Sequence, residues 1–135
     1  MRLFCYGTLQ FPALMQQVSG LHEHPFPAWL DNYACYTVRG EVFPGIVPEP
    51  GAQTGGVVYA GLGLAHLKRL DEFESDCYER RRVMVRDEQE RSLETWAYLM
   101  RPDALHRLTR ESWDRELFRR LHLQAWLNRS GSGHG

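Results

Sequence analysis

The first structural element is encoded by residues 3–10, which read Leu3-Phe4-Cys5-Tyr6-Gly7-Thr8-Leu9-Gln10. An apolar run that stops at a glycine is typical of a buried strand entering a tight loop. We therefore predict a strand over residues 2–6. A loop glycine lets neighbouring backbone N–H groups turn together towards an anion, and Thr8 adds a hydroxyl. The loop Tyr6, Gly7, Thr8 and Leu9 is thus a candidate site for a carboxylate or an oxyanion.

This loop is neither a phosphate-binding Walker loop nor a dinucleotide fingerprint, because it lacks their glycines and a following lysine. We expect Gly7 to need either a positive φ or a close approach of its backbone to a ligand. A turn glycine without any ligand is the alternative interpretation.

A short helix is predicted to follow the loop over residues 13–18. Pro12 stands at its first position and Gly20 just past its end, which are the places these residues favour. The prolines and histidines of residues 21–27 then predict a loop.

The middle of the chain predicts short strands separated by breaks. Alternating side chains favour a strand over residues 34–38, and an apolar run favours another over residues 56–62. The proline and glycine clusters at residues 43–45 and 48–51 are expected to break the chain twice.

The second half of the chain predicts a helix over residues 63–73 and a hairpin made of residues 78–85 and 93–100. A last helix is predicted over residues 112–127, with Ser112 as its N-cap and an apolar stripe made of Trp113, Leu117, Leu121, Phe118 and Ala125. This order predicts an α+β architecture, in which about five strands curl around a core and the helices pack outside.

Length, composition and charge limit the possible functions. The 135 residues are 43% hydrophobic and 24% charged, which predicts a single globular domain at residues 1–129 and a disordered tail at residues 130–135. The formal charge of −1 provides no positive electrostatic potential that would attract nucleic acid or an anionic membrane. We therefore expect neither as a partner.

The three cysteines, Cys5, Cys35 and Cys77, are an odd number without Cys-x-x-Cys spacing, so a disulfide framework or a zinc site is not expected. A reducing cytoplasm fits best. The sequence has no apolar run of about 18 residues, which predicts neither secretion nor membrane insertion. His22 and His24 lack a third ligand nearby, so we expect no metal site.

A carboxylate stands at the end of the helix predicted over residues 63–73. On a wheel of about 100° per residue, Leu64, Leu67 and Leu70 point in the direction that Glu74 also takes. If the helix continues to residue 74, the carboxylate lies on the core face, where burial raises its pKa and favours proton transfer near neutral pH. If the helix ends at residue 73, Glu74 turns into solvent.

Five segments of the sequence together form a recognisable motif set: Leu3-Phe4-Cys5-Tyr6-Gly7-Thr8-Leu9-Gln10, Val42-Phe43-Pro44-Gly45-Ile46-Val47-Pro48, Gly56-Val57-Val58-Tyr59, Leu70-Asp71-Glu72-Phe73-Glu74 and Tyr78-Glu79-Arg80. In this order the sequence resembles the gamma-glutamylcyclotransferase-like family, which includes gamma-glutamylamine cyclotransferases and the plant avirulence-induced-gene proteins. The resemblance covers residues 2–126. It implies a small mixed β-barrel with flanking helices, and cleavage of gamma-glutamyl compounds to 5-oxoproline plus a released amine.

The resemblance also implies roles for individual residues. The family's substrate loop falls on Tyr6, Gly7, Thr8 and Leu9, and its acid/base glutamate falls on Glu74, which the helical wheel selects independently. The implied reaction needs no cofactor or metal, because the substrate's own α-amine attacks its γ-carbonyl. One base moves protons while N–H donors stabilise the oxyanion.

Two other functions fit parts of the sequence. A binding module of the same fold would hold a small carboxylate without turnover, and would not need a titrating Glu74. An interaction protein built on the arginine-rich final helix would need Trp113 and Trp126 to be exposed. Near the candidate site, one arginine of residues 80–82 could pair with Glu74 or with a substrate carboxylate.

Overall fold

The computed structural model describes residues 1–129. The strands are β1 (Leu3–Cys5), β2 (Phe26–Val38), β3 (Pro44–Tyr59), β4 (Tyr78–Asp87), β5 (Ser92–Met100) and β6 (Leu108–Ser112). The helices are α1 (Pro12–Ser19), α2 (Leu64–Phe73), α3 (Arg115–Leu121) and α4 (Leu123–Arg129). The tail predicted at residues 130–135 lies outside the described residues.

The sheet closes on itself. Its strands follow the order β3-β1-β5-β4-β2-β6, and an additional pairing joins β3 to β2. Five strands therefore form a closed barrel, and β6 extends the sheet beyond β2. Because β1 is antiparallel to β3 and parallel to β5, the barrel is mixed. The predicted α+β class, a small mixed barrel with flanking helices, is confirmed.

Strand β1 is buried on both of its faces. Leu3 and Cys5 belong to a core shared with the helices, whereas Phe4 belongs to a second core formed mainly by strand residues. Successive side chains of a strand point to opposite faces, so this one short strand contributes to both cores. That position explains why residues 2–6 are almost uniformly apolar.

The first two helices start and end largely as predicted. Helix α1 begins at Pro12 and ends before Gly20, which takes a left-handed conformation with φ of 81°. Helix α2 buries Leu67 and Leu70, but Leu64 is 78% exposed, so the expectation that Leu64 faces the core is wrong. Leu64 is the first residue of α2, ahead of the turn that packs against the core.

Strands β2 and β3 are much longer than the sequence predicts. The expected loop over residues 21–27 overlaps the start of β2. The expected break at residues 48–51 lies within β3, and the one at residues 43–45 overlaps its first two residues. Residues 44–48 and 53–58 of β3 pair with β2, whereas β1 joins β3 only at residues 57–59. One side of the early part of β3 therefore has no strand partner in the described chain, and prolines are tolerated on such an edge.

The hairpin prediction is confirmed by the antiparallel pairing of β4 with β5. The single helix predicted over residues 112–127 is wrong. Ser112 ends β6, and the cap is Asp114, whose carboxylate accepts a hydrogen bond of 3.0 Å from the Leu117 backbone N–H. His122 then interrupts the helix with a φ of −127°, which separates α3 from α4.

The expected apolar stripe of this last helical region is also displaced. Leu117 is 42% exposed and Leu121 is 59% exposed, whereas Phe118 is almost completely buried. Ala125 is exposed as well. Among residues 1–129, no helix combines the length and apolar character that a membrane crossing requires.

The contact between β1 and β3 leads to a stability prediction. A Cβ added at Gly56 would lie 2.3 Å from the Cys5 carbonyl oxygen, whereas one at Gly55 would lie 3.5 Å from the Trp29 ring, an ordinary contact. We expect Gly56→Ala to lower the free energy of unfolding by about 1–3 kcal/mol, because the strand must shift. Urea unfolding measures this, with Gly55→Ala as the control. A Gly56→Ala variant as stable as the control would contradict the prediction.

Candidate functional site

The loop after β1 is held by hydrogen bonds from buried side chains. The Tyr6 hydroxyl donates to the Tyr98 carbonyl oxygen at 2.5 Å, and the Gln10 side-chain amide donates to the Tyr6 carbonyl at 2.8 Å. The Tyr59 hydroxyl donates to the Leu9 carbonyl at 2.8 Å. These bonds fix both ends of the 6–9 loop.

A single helical turn, Thr8–Gln10, follows Gly7. The backbone N–H groups of Gln10 and Phe11 close this turn by donating to the Gly7 and Thr8 carbonyls. The N–H groups of Thr8 and Leu9 precede those bonds, and the first N–H groups of a helical turn have no partner within it. They are candidate donors for an anionic ligand in this loop.

The backbone of Gly7 has φ of −120° and ψ of −134°, so the positive φ, one of two expected reasons for a glycine here, is not observed. The reason for a glycine is instead a close neighbour. A Cβ at this position would lie 2.9 Å from Cγ of Pro44 and 3.0 Å from its Cδ. The loop therefore packs against the start of β3 in a way that leaves no room for a side chain.

Glu74 combines features of both sequence-based alternatives. Helix α2 ends at Phe73, and the extended backbone of Glu74 (φ −67°, ψ 143°) ends the helical path. Its N–H still donates to the Leu70 carbonyl at 2.9 Å. The side chain does not turn out into solvent: it is half-buried and lines a cavity.

This cavity has a volume of about 190 Å³ and brings the sequence-predicted residues together. Its lining consists of Phe4, Cys5, Tyr6, Gly7, Thr8, Leu9, Phe43, Pro44, Phe73, Glu74, Ser75, Tyr78, Tyr98 and Trp126. A single small molecule could therefore contact the carboxylate of Glu74 and the 6–9 loop at the same time. That is the geometric requirement for a base and oxyanion donors to serve one reacting centre.

The environment of Glu74 favours its neutral form. Burial is the main cause, and the negative charge of Asp71 adds to it; together they raise the pKa of Glu74 to about 8. A carboxyl group with a pKa near the working pH can both accept and return a proton. The phenols of Tyr78 and Tyr98 stay neutral, because burial raises the pKa of each.

Asp71 lies beside the cavity in a different environment. It accepts two hydrogen bonds from the Arg80 guanidinium, at 2.9 and 3.1 Å, and one of 2.7 Å from the Tyr98 hydroxyl. Partial burial opposes ionisation, but these bonds outweigh it and hold the pKa of Asp71 below its ordinary value. Arg80 thus pairs with Asp71 and not with Glu74. Two neighbouring carboxyl groups are thereby driven to opposite protonation states.

Sequence reasoning missed several residues of the site. Asp71 precedes Glu74 by three positions, and that helical spacing places both on neighbouring parts of one face. The sequence did not indicate that the rings of Phe43, Phe73 and Trp126 line the same cavity, because they come from segments far apart in the chain.

Other sequence hypotheses can also be compared with the structure. Trp113 and Trp126 are half-buried, and the Trp113 indole N–H donates to the Val42 carbonyl at 2.8 Å. The exposure that an interaction surface on the final helix would need is absent from these two side chains. His22 and His24 are exposed, and residues 1–129 contain no group of three or more His, Cys, Asp or Glu side chains arranged to hold a metal.

Comparison with known proteins identifies the family. A family model described as gamma-glutamyl cyclotransferase, AIG2-like, matches residues 3–115. The chain belongs to this family. Among curated members, it is 29% identical to AIG2-like protein D from Arabidopsis thaliana over 131 residues, which cover 93% of this chain and 83% of that protein. The resemblance found in the sequence is therefore confirmed at the level of the family.

Solved structures agree with this assignment. A protein from Arabidopsis thaliana, determined in solution, superposes with a TM-score of 0.73 at 26% identity, covering 97% of this chain and 79% of that one. A protein described as a gamma-glutamyl cyclotransferase superposes with a TM-score of 0.65 at 20% identity, covering 74% of this chain and 66% of that one. At this low identity the second likeness shows the shared fold.

The raised pKa of Glu74 predicts how stability depends on pH. Between its ordinary value of 4.5 and about 8, the unfolded chain releases this proton while the folded protein keeps it, so the contribution of Glu74 is lost as pH rises. The loss is at most about 1.4 kcal/mol per pH unit. We expect Glu74→Gln, which cannot ionise, to gain stability relative to the parent protein between pH 5 and pH 8 (about the window of the shift).

Urea unfolding at several pH values measures this difference. The matched control is Glu72→Gln, a change at an exposed carboxylate of α2, and this variant should not show the gain. Parallel stability curves for the parent and Glu74→Gln would refute a buried, protonated Glu74.

Proposed function

We propose that the protein cleaves a gamma-glutamyl amide by attack of the substrate's own α-amine on its γ-carbonyl, releasing 5-oxoproline and a free amine or amino acid. The observation that carries this proposal is the shared cavity: a half-buried carboxyl group with a pKa of about 8 and the 6–9 loop line one small space. Membership of the gamma-glutamyl cyclotransferase, AIG2-like family supports it.

In this proposal, the 6–9 loop and Glu74 have different roles. We assign Tyr6, Gly7, Thr8 and Leu9 to substrate binding, with backbone N–H groups and the Thr8 hydroxyl donating to the substrate's carboxylate or to the oxyanion on the γ-carbon. Glu74 is the general acid/base. Holding the amine close to the carbonyl makes ring closure an intramolecular step, which removes much of the entropic cost.

The proton balance requires a single group that both accepts and donates. Glu74, in its ionised form, takes one proton from the α-ammonium group, and the freed lone pair forms the new C–N bond. The bond to the leaving nitrogen then breaks. The attacking nitrogen loses two protons in becoming the lactam, and the leaving amine carries both away, so Glu74 ends in its starting state.

In this scheme one amide replaces another, and the protein's own residues suffice without a metal or cofactor. Water does not enter the product, so 5-oxoproline formed in water labelled with heavy oxygen should carry no label. The free thiols of Cys5, Cys35 and Cys77 suit a reducing compartment, and we place the reaction in the cytoplasm.

Replacing Glu74 by Gln tests the proposed acid/base role. The amide keeps the shape of the side chain but cannot shuttle the proton, so turnover should fall by about a hundredfold or more. The measurement is 5-oxoproline release over a panel of gamma-glutamyl amino acids and amides.

The exposed Glu72 provides the control: Glu72→Gln should retain the parent rate. Equal rates for Glu74→Gln and the parent would exclude Glu74 as the acid/base. Lack of activity by the parent across the panel, with retained binding, would instead favour a module that holds a small carboxylate without turnover.

The pH dependence of the rate follows from the same group. Because Glu74 must be ionised to accept a proton, kcat/KM should rise with pH through the pKa of about 8 in the free protein. In the complex, the substrate's ammonium group favours the ionised form of Glu74. The rise of kcat with pH should therefore occur at lower pH than the rise of kcat/KM. Steady-state rates from about pH 6 to 9 test this; a kcat/KM that is flat over that range would contradict it.

A further inference from the structure

One wall of the cavity is made of aromatic rings from three separate parts of the chain. Phe43 lies just before β3, Phe73 is the last residue of α2, and Trp126 belongs to α4. The Trp126 ring meets those of Phe43 and Phe73 with centroids 6.3 Å apart in each case and planes inclined at 68°. Such edge-to-face contacts are the geometry that aromatic pairs prefer. We call these three rings the aromatic wall.

The aromatic wall is fixed from behind. Trp126 packs edge-on against the buried Phe118, with ring centroids 5.3 Å apart. The Gln17 side-chain amide of α1 also donates to the Leu127 carbonyl at 2.6 Å, which ties α4 to the first helix. These contacts hold Trp126 in place, so a ligand in the cavity would pack against a wall that is already ordered.

The charge of the cavity is as informative as its shape. Among the described residues, Glu74 is the only acidic residue that lines the cavity. No lysine, arginine or histidine of the described chain lines it. The nearby Arg80 is bound to both oxygens of Asp71. A ligand with a carboxylate beyond its gamma-glutamyl group would bury that charge beside aromatic rings without a cation, which is costly.

The family model includes two rings of this wall, Phe43 and Phe73, and stops short of the third. It matches residues 3–115, whereas Trp126 lies eleven positions beyond that limit in α4. The part of the cavity made by the 6–9 loop and Glu74 falls within the match. The part made by Trp126 belongs to α4, beyond the matched range.

We propose that the aromatic wall is the subsite for the leaving amine, and that the substrates are gamma-glutamyl amides of aromatic or bulky apolar amines that carry no carboxylate. This inference rests on the proposed function, which assigns the gamma-glutamyl end of the substrate to Glu74 and the 6–9 loop. The group on the other side of the amide then packs against Phe43, Phe73 and Trp126. Its ring adds edge-to-face contacts and burial of apolar surface.

Three compounds separate the two parts of the proposal. Gamma-glutamyl phenethylamide carries the ring, gamma-glutamyl ethylamide lacks it, and gamma-glutamyl phenylalanine adds one carboxylate next to the amide nitrogen. We expect kcat/KM for the phenethylamide to exceed that for each of the other two by at least about tenfold. Equal values for phenethylamide and ethylamide would overturn the apolar subsite. Equal values for phenethylamide and phenylalanine would overturn the exclusion of a carboxylate.

Trp126→Ala tests whether the aromatic wall determines the preference among substrates. The preference for phenethylamide over ethylamide should fall by about fivefold or more, and Trp126→Phe should restore most of it. The matched control is Trp29→Ala, since Trp29 is a half-buried tryptophan of β2 that does not line the cavity; its preference should equal the parent's. An unchanged preference in Trp126→Ala would overturn the assignment. If that variant fails to fold, Phe43→Leu provides the same comparison.

Binding measurements keep this inference separate from the proposed reaction. If no compound releases 5-oxoproline, the proposed function fails, and titration calorimetry with the parent protein then tests the subsite alone. Phenethylamide binding at least about tenfold tighter than ethylamide binding, with the difference lost in Trp126→Ala, would support the subsite. Equal affinities, or no binding of any of the three compounds, would overturn it.

Discussion

The structure depends on how closely β1 approaches β3. The backbones can come this near only because Gly56 has no side chain: a Cβ there would meet the Cys5 carbonyl oxygen and the Phe4 ring. This contact seats a three-residue strand between β3 and β5, which is one of the pairings that the closed barrel requires. It also fixes the point at which the chain leaves the sheet, and so delivers Tyr6 and Gly7 to the cavity.

The parts of the site that are coded locally were predictable from the sequence. The apolar run before Gly7 specifies a buried strand with a loop at its end, and the positions of Leu67 and Leu70 specify the buried face of α2. The direction of that face also selected Glu74 as a candidate, even though α2 ends one residue earlier, at Phe73. The Glu74 side chain still lines the cavity, because the first residue after a helix is directed by the last helical turn through the bond from its N–H to Leu70.

The parts that depend on distant partners could not be predicted. The prolines of β3 look like breaks until its pairing shows that one side of the strand has no neighbour. The register shift between Asp31 and Tyr33, where Asn32 has a φ of 64°, likewise lets β2 continue where local pattern suggests separate pieces. The placement of Trp126 depends on how α4 packs against Phe118, which its own sequence does not specify.

The two carboxyl groups near the cavity show how one short helix can prepare opposite charge states. Asp71 remains ionised because Arg80 and Tyr98 donate to it, whereas burial, with the nearby charge of Asp71, raises the pKa of Glu74. At neutral pH the cavity is therefore nearly uncharged before a ligand arrives. Under the proposed reaction, the substrate's ammonium group supplies the positive charge that favours ionisation of Glu74. The substrate would thus help to generate the base that activates it, at the place where its own amine must lose a proton.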